Sequence, residues 1–167
     1  LLEHGNGGLL SHELVADYFL PRFKNPHLER LEDSAVLMLG NQKFCFTTDS
    51  YVISPLFFPG GNIGSLAVHG TVNDLSVCGG KPLYMSCGFI LEEGFPLESL
   101  QKIIQAMADA AAEAGVKIVT GDTKVVARGA ADCLFINTSG IGIVEYPGEL
   151  SAGNIQPGDV MIINGTI

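Results

Sequence analysis

An α+β domain, with helices on one face of a largely antiparallel or mixed sheet, is the fold class this sequence predicts. Three observations carry it. Helical and strand-like stretches follow one another irregularly, as helix, hairpin, helix, strand, helix, strand, strand, and not in the strict alternation of a doubly wound parallel sheet. The short loop Gly40-Asn41-Gln42 joins two strand segments directly, which reads as an antiparallel hairpin. The 167 residues, 47% of them hydrophobic, suffice for one well-buried domain and are too few for two large ones.

Ser11 caps the first helix, in which Leu14, Val15, Tyr18 and Phe19 share a face, and Pro21 marks its end. Segments 34–39 and 43–48 form the hairpin. Asn62 opens a second helix that runs to about Cys78 and is stopped by Gly79-Gly80 and Pro82. An apolar strand covers 83–92. Pro96 then starts a helix whose stripe of Leu97, Leu100, Ile103, Ile104, Met107 and Ala111 faces the core as far as Gly115. Strands follow at 116–127 and 133–145. The stretch from Pro147 to Gly158, rich in Gly, Pro and Ser, reads as a linker, and Val160-Met161-Ile162-Ile163 as a strand-like run. The expected division is a domain over 1–147, then a linker and the first strand of a truncated carboxy-terminal domain over 148–167.

Nine Lys and Arg against eighteen Asp and Glu give a formal charge of -9, the wrong sign for gripping phosphate backbones, so nucleic acid is not an expected partner. Polyphosphate can still bind an acidic protein when divalent cations sit between carboxylates and phosphate oxygens. No unbroken apolar span reaches membrane-crossing length, and the opening residues show no basic segment leading into a hydrophobic one, so neither a membrane nor an export signal is expected. Cys45, Cys78, Cys87 and Cys133 are far apart in apolar surroundings and read as buried free thiols of a reducing compartment.

The residues that can carry chemistry are acids. If hairpin positions summing to 82 face each other, Asp33 stands opposite Asp49, with Cβ atoms ~5 Å apart. Like charges at that distance repel by roughly 3 kcal/mol at an effective dielectric near 20, a cost a cation would relieve. A register one residue away sends them to opposite faces, and the pattern does not decide between the two. On the second helix Ile63, Leu66, Ala67, Gly70, Val77 and Cys78 form one face, with Asp74 near its centre. Small residues at 67 and 70 would let the helix approach the sheet and carry Asp74 to the same edge; the alternative is a buried Asp satisfied by local donors. Asp122 and Lys124 share a face in extended chain, an acid for metal beside a cation for phosphate, or an exposed ion pair. His4-Gly5-Asn6-Gly7-Gly8 reads as an anion nest or a frayed terminus, and His69 as a solvated histidine.

Three runs carry a family resemblance: Thr47-Thr48-Asp49-Ser50-Tyr51-Val52-Ile53-Ser54-Pro55-Leu56-Phe57-Phe58-Pro59-Gly60-Gly61, His69-Gly70-Thr71-Val72-Asn73-Asp74-Leu75, and Thr120-Gly121-Asp122-Thr123-Lys124-Val125-Val126. From His4 to Ile167 the chain resembles the amino-terminal half of the superfamily containing aminoimidazole ribonucleotide synthetase, selenophosphate synthetase and thiamine-monophosphate kinase. Within it, the chain is most similar to hydrogenase maturation factors of the HypE type. The resemblance implies a PurM-type amino-terminal domain that pairs into a barrel-like homodimer, and Mg²⁺-bound ATP held by aspartates. Asp33, Asp49, Asp74 and Asp122 match the family's acids as metal and nucleotide ligands. Lys124 matches a position that would contact transferred phosphate or the substrate amide, and is the candidate catalytic residue.

The implied reaction is ATP-dependent dehydration of a carboxy-terminal S-carbamoyl cysteine to a thiocyanate, the source of the cyanide ligand of nickel–iron hydrogenase. The implied partners are the carbamoyltransferase HypF and the HypC–HypD complex, in the cytoplasm. The carboxy-terminal cysteine and second domain of that reaction have no counterpart among these residues, so the chain by itself is expected to be inactive. The alternatives are a selenophosphate synthetase-like or other enzyme phosphorylating amide oxygens, and a non-catalytic dimerisation or docking module.

Overall fold

The computed structural model describes residues 2–163 and Gly165. A five-stranded sheet in the order β1-β2-β7-β5-β6 is built from β1 (Ala35–Leu39), β2 (Gln42–Tyr51), β5 (Gly80–Glu92), β6 (Lys117–Val126) and β7 (Leu134–Val144). Short strands β3 (Phe57–Phe58) and β4 (Gly61–Asn62) form a separate small ribbon. Every neighbouring pair in the main sheet is antiparallel except β5 and β6. That parallel pair needs a crossover, and α4 (Leu97–Ala114) supplies it, ended by Gly115 in the left-handed conformation at φ 68. The sheet is therefore mixed, as expected.

One face is covered by α3 (Ile63–Val77) and α4, which pack on each other. Asn62 starts α3 with a capping box: its side chain accepts from the Gly64 amide at 2.8 Å, while its own amide donates to Ser65 Oγ at 3.1 Å. Ile63, Leu75, Met85, Ile103, Leu134 and Ile136 are the largest fully buried apolar side chains between helices and sheet.

Several expectations are corrected. The hairpin turn has two residues, Gly40 and Asn41, because Leu39 pairs with Gln42 and Ala35 with Phe46. Facing positions sum to 81 and β1 begins only at Ala35, so Asp33 lies before the strand and does not face Asp49. Pro21 does not end the first helix: α1 (Leu9–Leu14) runs through a π-helical turn, Val15–Phe19, into α2 (Leu20–Phe23), which has Pro21 in its first turn. The wider π turn changes the hydrogen-bonding register just where the proline lacks its N–H. Ser11 sits inside α1, and Gly8 precedes the helix. Tyr18, Phe19 and Phe23 are exposed, outside the α3–α4 layer. Pro82 lies within β5, at a register irregularity, because β5 starts at Gly80. Cys133 is exposed, while the other three cysteines are buried. Val160–Ile163 are exposed and form no strand, and the terminal Thr166-Ile167 lie outside the described residues.

Candidate functional site

Alternation along β2 turns Cys45, Thr47, Asp49 and Tyr51 toward the helix layer, and Phe44, Phe46, Thr48 and Ser50 toward the opposite face. Above β2, the buried side of α3 is Ile63, Gly64, Ala67, Val68, Thr71 and Leu75. Leu66 and Val77, expected on that side, are exposed, and Asp74 stands at its margin, half-buried. Gly70 allows the close approach: a Cβ there would fall on the hydroxyl of Tyr51.

That approach brings the aspartates of two elements under one set of hydroxyls. Asp49 Oδ2 accepts from Tyr51 Oη at 3.2 Å and from Thr71 Oγ1 at 3.1 Å. Thr71 Oγ1 is in turn 2.6 Å from Thr138 Oγ1 of β7, which is fully buried. Each hydroxyl has one proton, so Thr138 donates to Thr71 when Thr71 donates to Asp49. Thr47 Oγ1 is 3.0 Å from Asp74 Oδ2 and 2.9 Å from the Asp33 carbonyl, and Ser34 Oγ donates to the Asp74 carbonyl at 2.7 Å. Asp33 is exposed at the rim.

The charges of the other two acids reach Asp74. Burial raises the Asp74 carboxyl above the ordinary carboxylate range, the charge of Asp49 adds to the rise, and Asp33 adds further. Burial also pushes the Tyr51 phenol up to about 12, with Asp49 reinforcing it, so the phenol stays a proton donor to that carboxylate. Among the described residues no Lys or Arg pairs with these aspartates. Nor do any three His, Cys, Asp or Glu there approach closely enough to form a ready-made metal cage. Crowded, uncompensated carboxylates of this kind suit a cation that brings its own phosphate and water ligands, as Mg²⁺ does.

A cleft of about 760 Å³ opens beside them, lined by Asp33, Ser34, Thr47 and Thr48 on one wall and by Gly7, Ser11, His12, Asn25 and His27 on the other. The glycine-rich opening is folded over this cleft: the Gly7 amide donates to Ser11 Oγ at 2.9 Å, and Ser11 Oγ donates to the His4 carbonyl at 2.6 Å.

Asp122 and Lys124 are not part of this group in one chain. Thr138 pairs with Asp49 and Cys87, whereas Asp122 pairs with Gly88, which pairs with Asn137. Asp122 thus lies three strands from β2, roughly 14 Å across the sheet, and on the opposite face. Lys124 Nζ is 2.9 Å from Asp122 Oδ2, with both side chains about two-thirds exposed (69% and 67%). The hydrogen bond from Lys124, then that from the Thr123 amide, hold Asp122 below the usual carboxylate range. Thr47, Tyr51, Thr71 and Thr138 were not foreseen as site residues. For Thr47 and Tyr51 the signal is spacing, two residues from Asp49 along the strand, and for Thr71 three residues from Asp74 along the helix; Thr138 has no local signal, since only the pairing of β7 with β2 sets it beside Asp49.

The family model described as "AIR synthase related protein, N-terminal domain" matches residues 31–144. Carbamoyl dehydratase HypE of Escherichia coli (strain K12) is 50% identical over 171 residues, covering 99% of this chain and 51% of that protein. Among solved structures, a HypE–HypF complex superposes with a TM-score of 0.80 at 53% identity, covering 87% of this chain and 47% of the other. HypE in complex with ATP gives 0.69 at 54% identity, covering 95% and 47%. The chain spans about half the length of the curated relatives it matches. The chain belongs to the AIR synthase related family, as an amino-terminal domain of the HypE type.

Proposed function

We propose that this chain is the ATP-binding half of a carbamoyl dehydratase that converts a carboxy-terminal S-carbamoyl cysteine to a thiocyanate during nickel–iron hydrogenase maturation. The observation that carries the reading is the approach of Asp49 and Asp74 beneath one set of hydroxyls, with Asp33 beside them on the wall of a 760 Å³ cleft. The similarity to a HypE that was solved with ATP supports the nucleotide, and its similarity to one solved with HypF supports the carbamoyltransferase as a partner. The HypC–HypD complex and a cytoplasmic setting rest on the family resemblance.

Asp33, Asp49 and Asp74 are the residues that would hold Mg²⁺ on the triphosphate. Bound there, Mg²⁺ would supply charge neutralisation for transfer of the γ-phosphoryl group to an amide oxygen, turning a poor leaving group into phosphate. The chain's part is positional. Thr71 and Tyr51 orient Asp49, Thr47 orients Asp74, and the His4–Ser11 fold narrows the cleft against water.

Asp122 and Lys124 face away from that site, so they serve it from a second copy of the chain. The uncovered face of the sheet, with Phe46, Tyr84, Ile90 and Ile141 exposed, is the surface through which two copies pair. In that homodimer Asp122 is a further metal ligand and Lys124 contacts the transferred phosphate or the amide. Residues 148–167 lead into the second domain. The test joins the second half of a HypE relative to this chain and measures thiocyanate and phosphate release from a carbamoyl donor, ATP and Mg²⁺. Turnover by the joined chain with background activity from residues 1–167 supports the division. Equal yields from both place the whole apparatus in this half, and no yield from either counts against the reaction.

A further inference from the structure

The segment that leaves β7 touches both pieces of chain that bring acids to the site. Arg30 Nη2 donates to Glu32 Oε1 at 3.1 Å and to Glu149 Oε1, bridging the two carboxylates. Arg30 stands three residues before Asp33, and Leu31 between them is held in the left-handed conformation at φ 49. On the other side, a Cβ at Gly79 would stand 2.8 Å from Tyr146 Cβ and 3.4 Å from Leu150 Cδ1. Gly79 lies just past the end of α3, the helix that carries Asp74. The segment has a shape of its own: Asn154 Nδ2 donates to the Glu149 carbonyl at 2.8 Å, and Ser151 Oγ accepts from the Gly153 amide at 3.2 Å.

We propose that residues 146–154 form a positioning clip for the aspartate site, with Glu149 on Arg30 and Leu150 on Gly79 fixing the Asp33 segment against the end of α3. The clip is the chain's only route onward from β7. A shift of whatever follows residue 154 therefore changes the separation of Asp33 from Asp74, where Ser34 Oγ already ties the two segments at the Asp74 carbonyl. Arg30 is a positioning residue in this account and not a ligand. An ion pair this exposed adds little to global stability, so its effect is felt in geometry. The inference rests on the proposed nucleotide site, which Asp33 and Asp74 share.

The test compares the parent chain with Arg30→Gln, Glu149→Gln, the double variant and Arg30→Lys, and with Glu29→Gln as a control in the separate Lys24–Glu29 pair. Affinity for Mg-ATP is read by titration, and amide hydrogen exchange at 33–36 and 77–80 is read without nucleotide. Each single Gln variant should weaken Mg-ATP about five-fold. The double should be no weaker than Arg30→Gln, since both cut one link, and Arg30→Lys should recover most of the affinity. Melting temperatures should stay within about 2 °C of the parent, the control should match the parent, and exchange should quicken in both segments. Unchanged affinity, additive losses, or unchanged exchange in either segment would overturn the clip. If the parent itself does not bind Mg-ATP, the nucleotide reading fails and exchange alone decides: quickening in both segments upholds the clip, and its absence ends it.

Discussion

Asp74 gives the site its character because its carboxyl is held above the ordinary range, by burial first and by Asp49 and then Asp33 after it. An acid whose folded value is raised binds its proton more tightly in the fold. Stability is then greatest where both states are protonated, and falls as pH rises from the unfolded value through the folded one. Neutral pH lies above the unfolded value, where the penalty is felt. Asp74→Asn should therefore stabilise the metal-free chain at pH 7, by a few tenths to about 1 kcal/mol given how much of the side chain meets solvent. The gain should vanish below pH 4, and urea melts at both pH values would check it. A loss of stability at pH 7 would show that the Thr47 hydrogen bond outweighs the repulsion. The unusual setting of this residue was legible, since small residues flank an acid on a helix. Its hydroxyl partners were not, because Thr and Ser are ordinary in strands and helices and only the packed pair of elements reveals which of them point at a carboxylate.

Hairpin register and helix approach decide what the elements deliver. A two-residue turn at Gly40 and Asn41 moves every pairing by one from the symmetric three-residue loop, so Asp49 has no partner at position 33, which in any case precedes the strand. Turn chemistry fixes register, and a sequence with Gly, Asn and Gln in a row fits either loop. The acids still converge, by way of α3. That approach depends on Gly70, where a methyl group would meet the Tyr51 hydroxyl. Gly70→Ala should cost about 1–3 kcal/mol by overpacking. Adding Tyr51→Phe should recover part of this, since the hydroxyl is the first obstacle, and chemical denaturation of the single and double variants would measure it. No recovery would mean that the ring itself blocks the helix. The bounds of α3, α4, β6 and β7 were readable from their caps and breakers, as with Asn62 and Gly115. Pro21 misled because a π turn accommodates what an α-helix does not.

At the scale of the molecule, one face of the sheet is covered by helices and the other is bare. Pairing through the bare face predicts that Ile141→Asp, in the middle strand of β2-β7-β5, leaves the fold intact but converts a dimer into a monomer. Light scattering at micromolar concentration would show the change, and a parent that is already monomeric would contradict the pairing. The same geometry explains why Asp122 and Lys124 resisted placement from sequence. Their motif was recognisable, but their distance from the other acids depends on a face and a strand order that no local pattern states.

Calorimetric titration of the chain with ATP, with and without Mg²⁺, asks whether the aspartates of this half hold a metal-bound nucleotide. Saturable binding should require Mg²⁺ and weaken roughly ten-fold or more in Asp49→Asn, as expected for loss of a charged contact. Binding that is absent, indifferent to Mg²⁺, or equal in parent and variant would contradict that role.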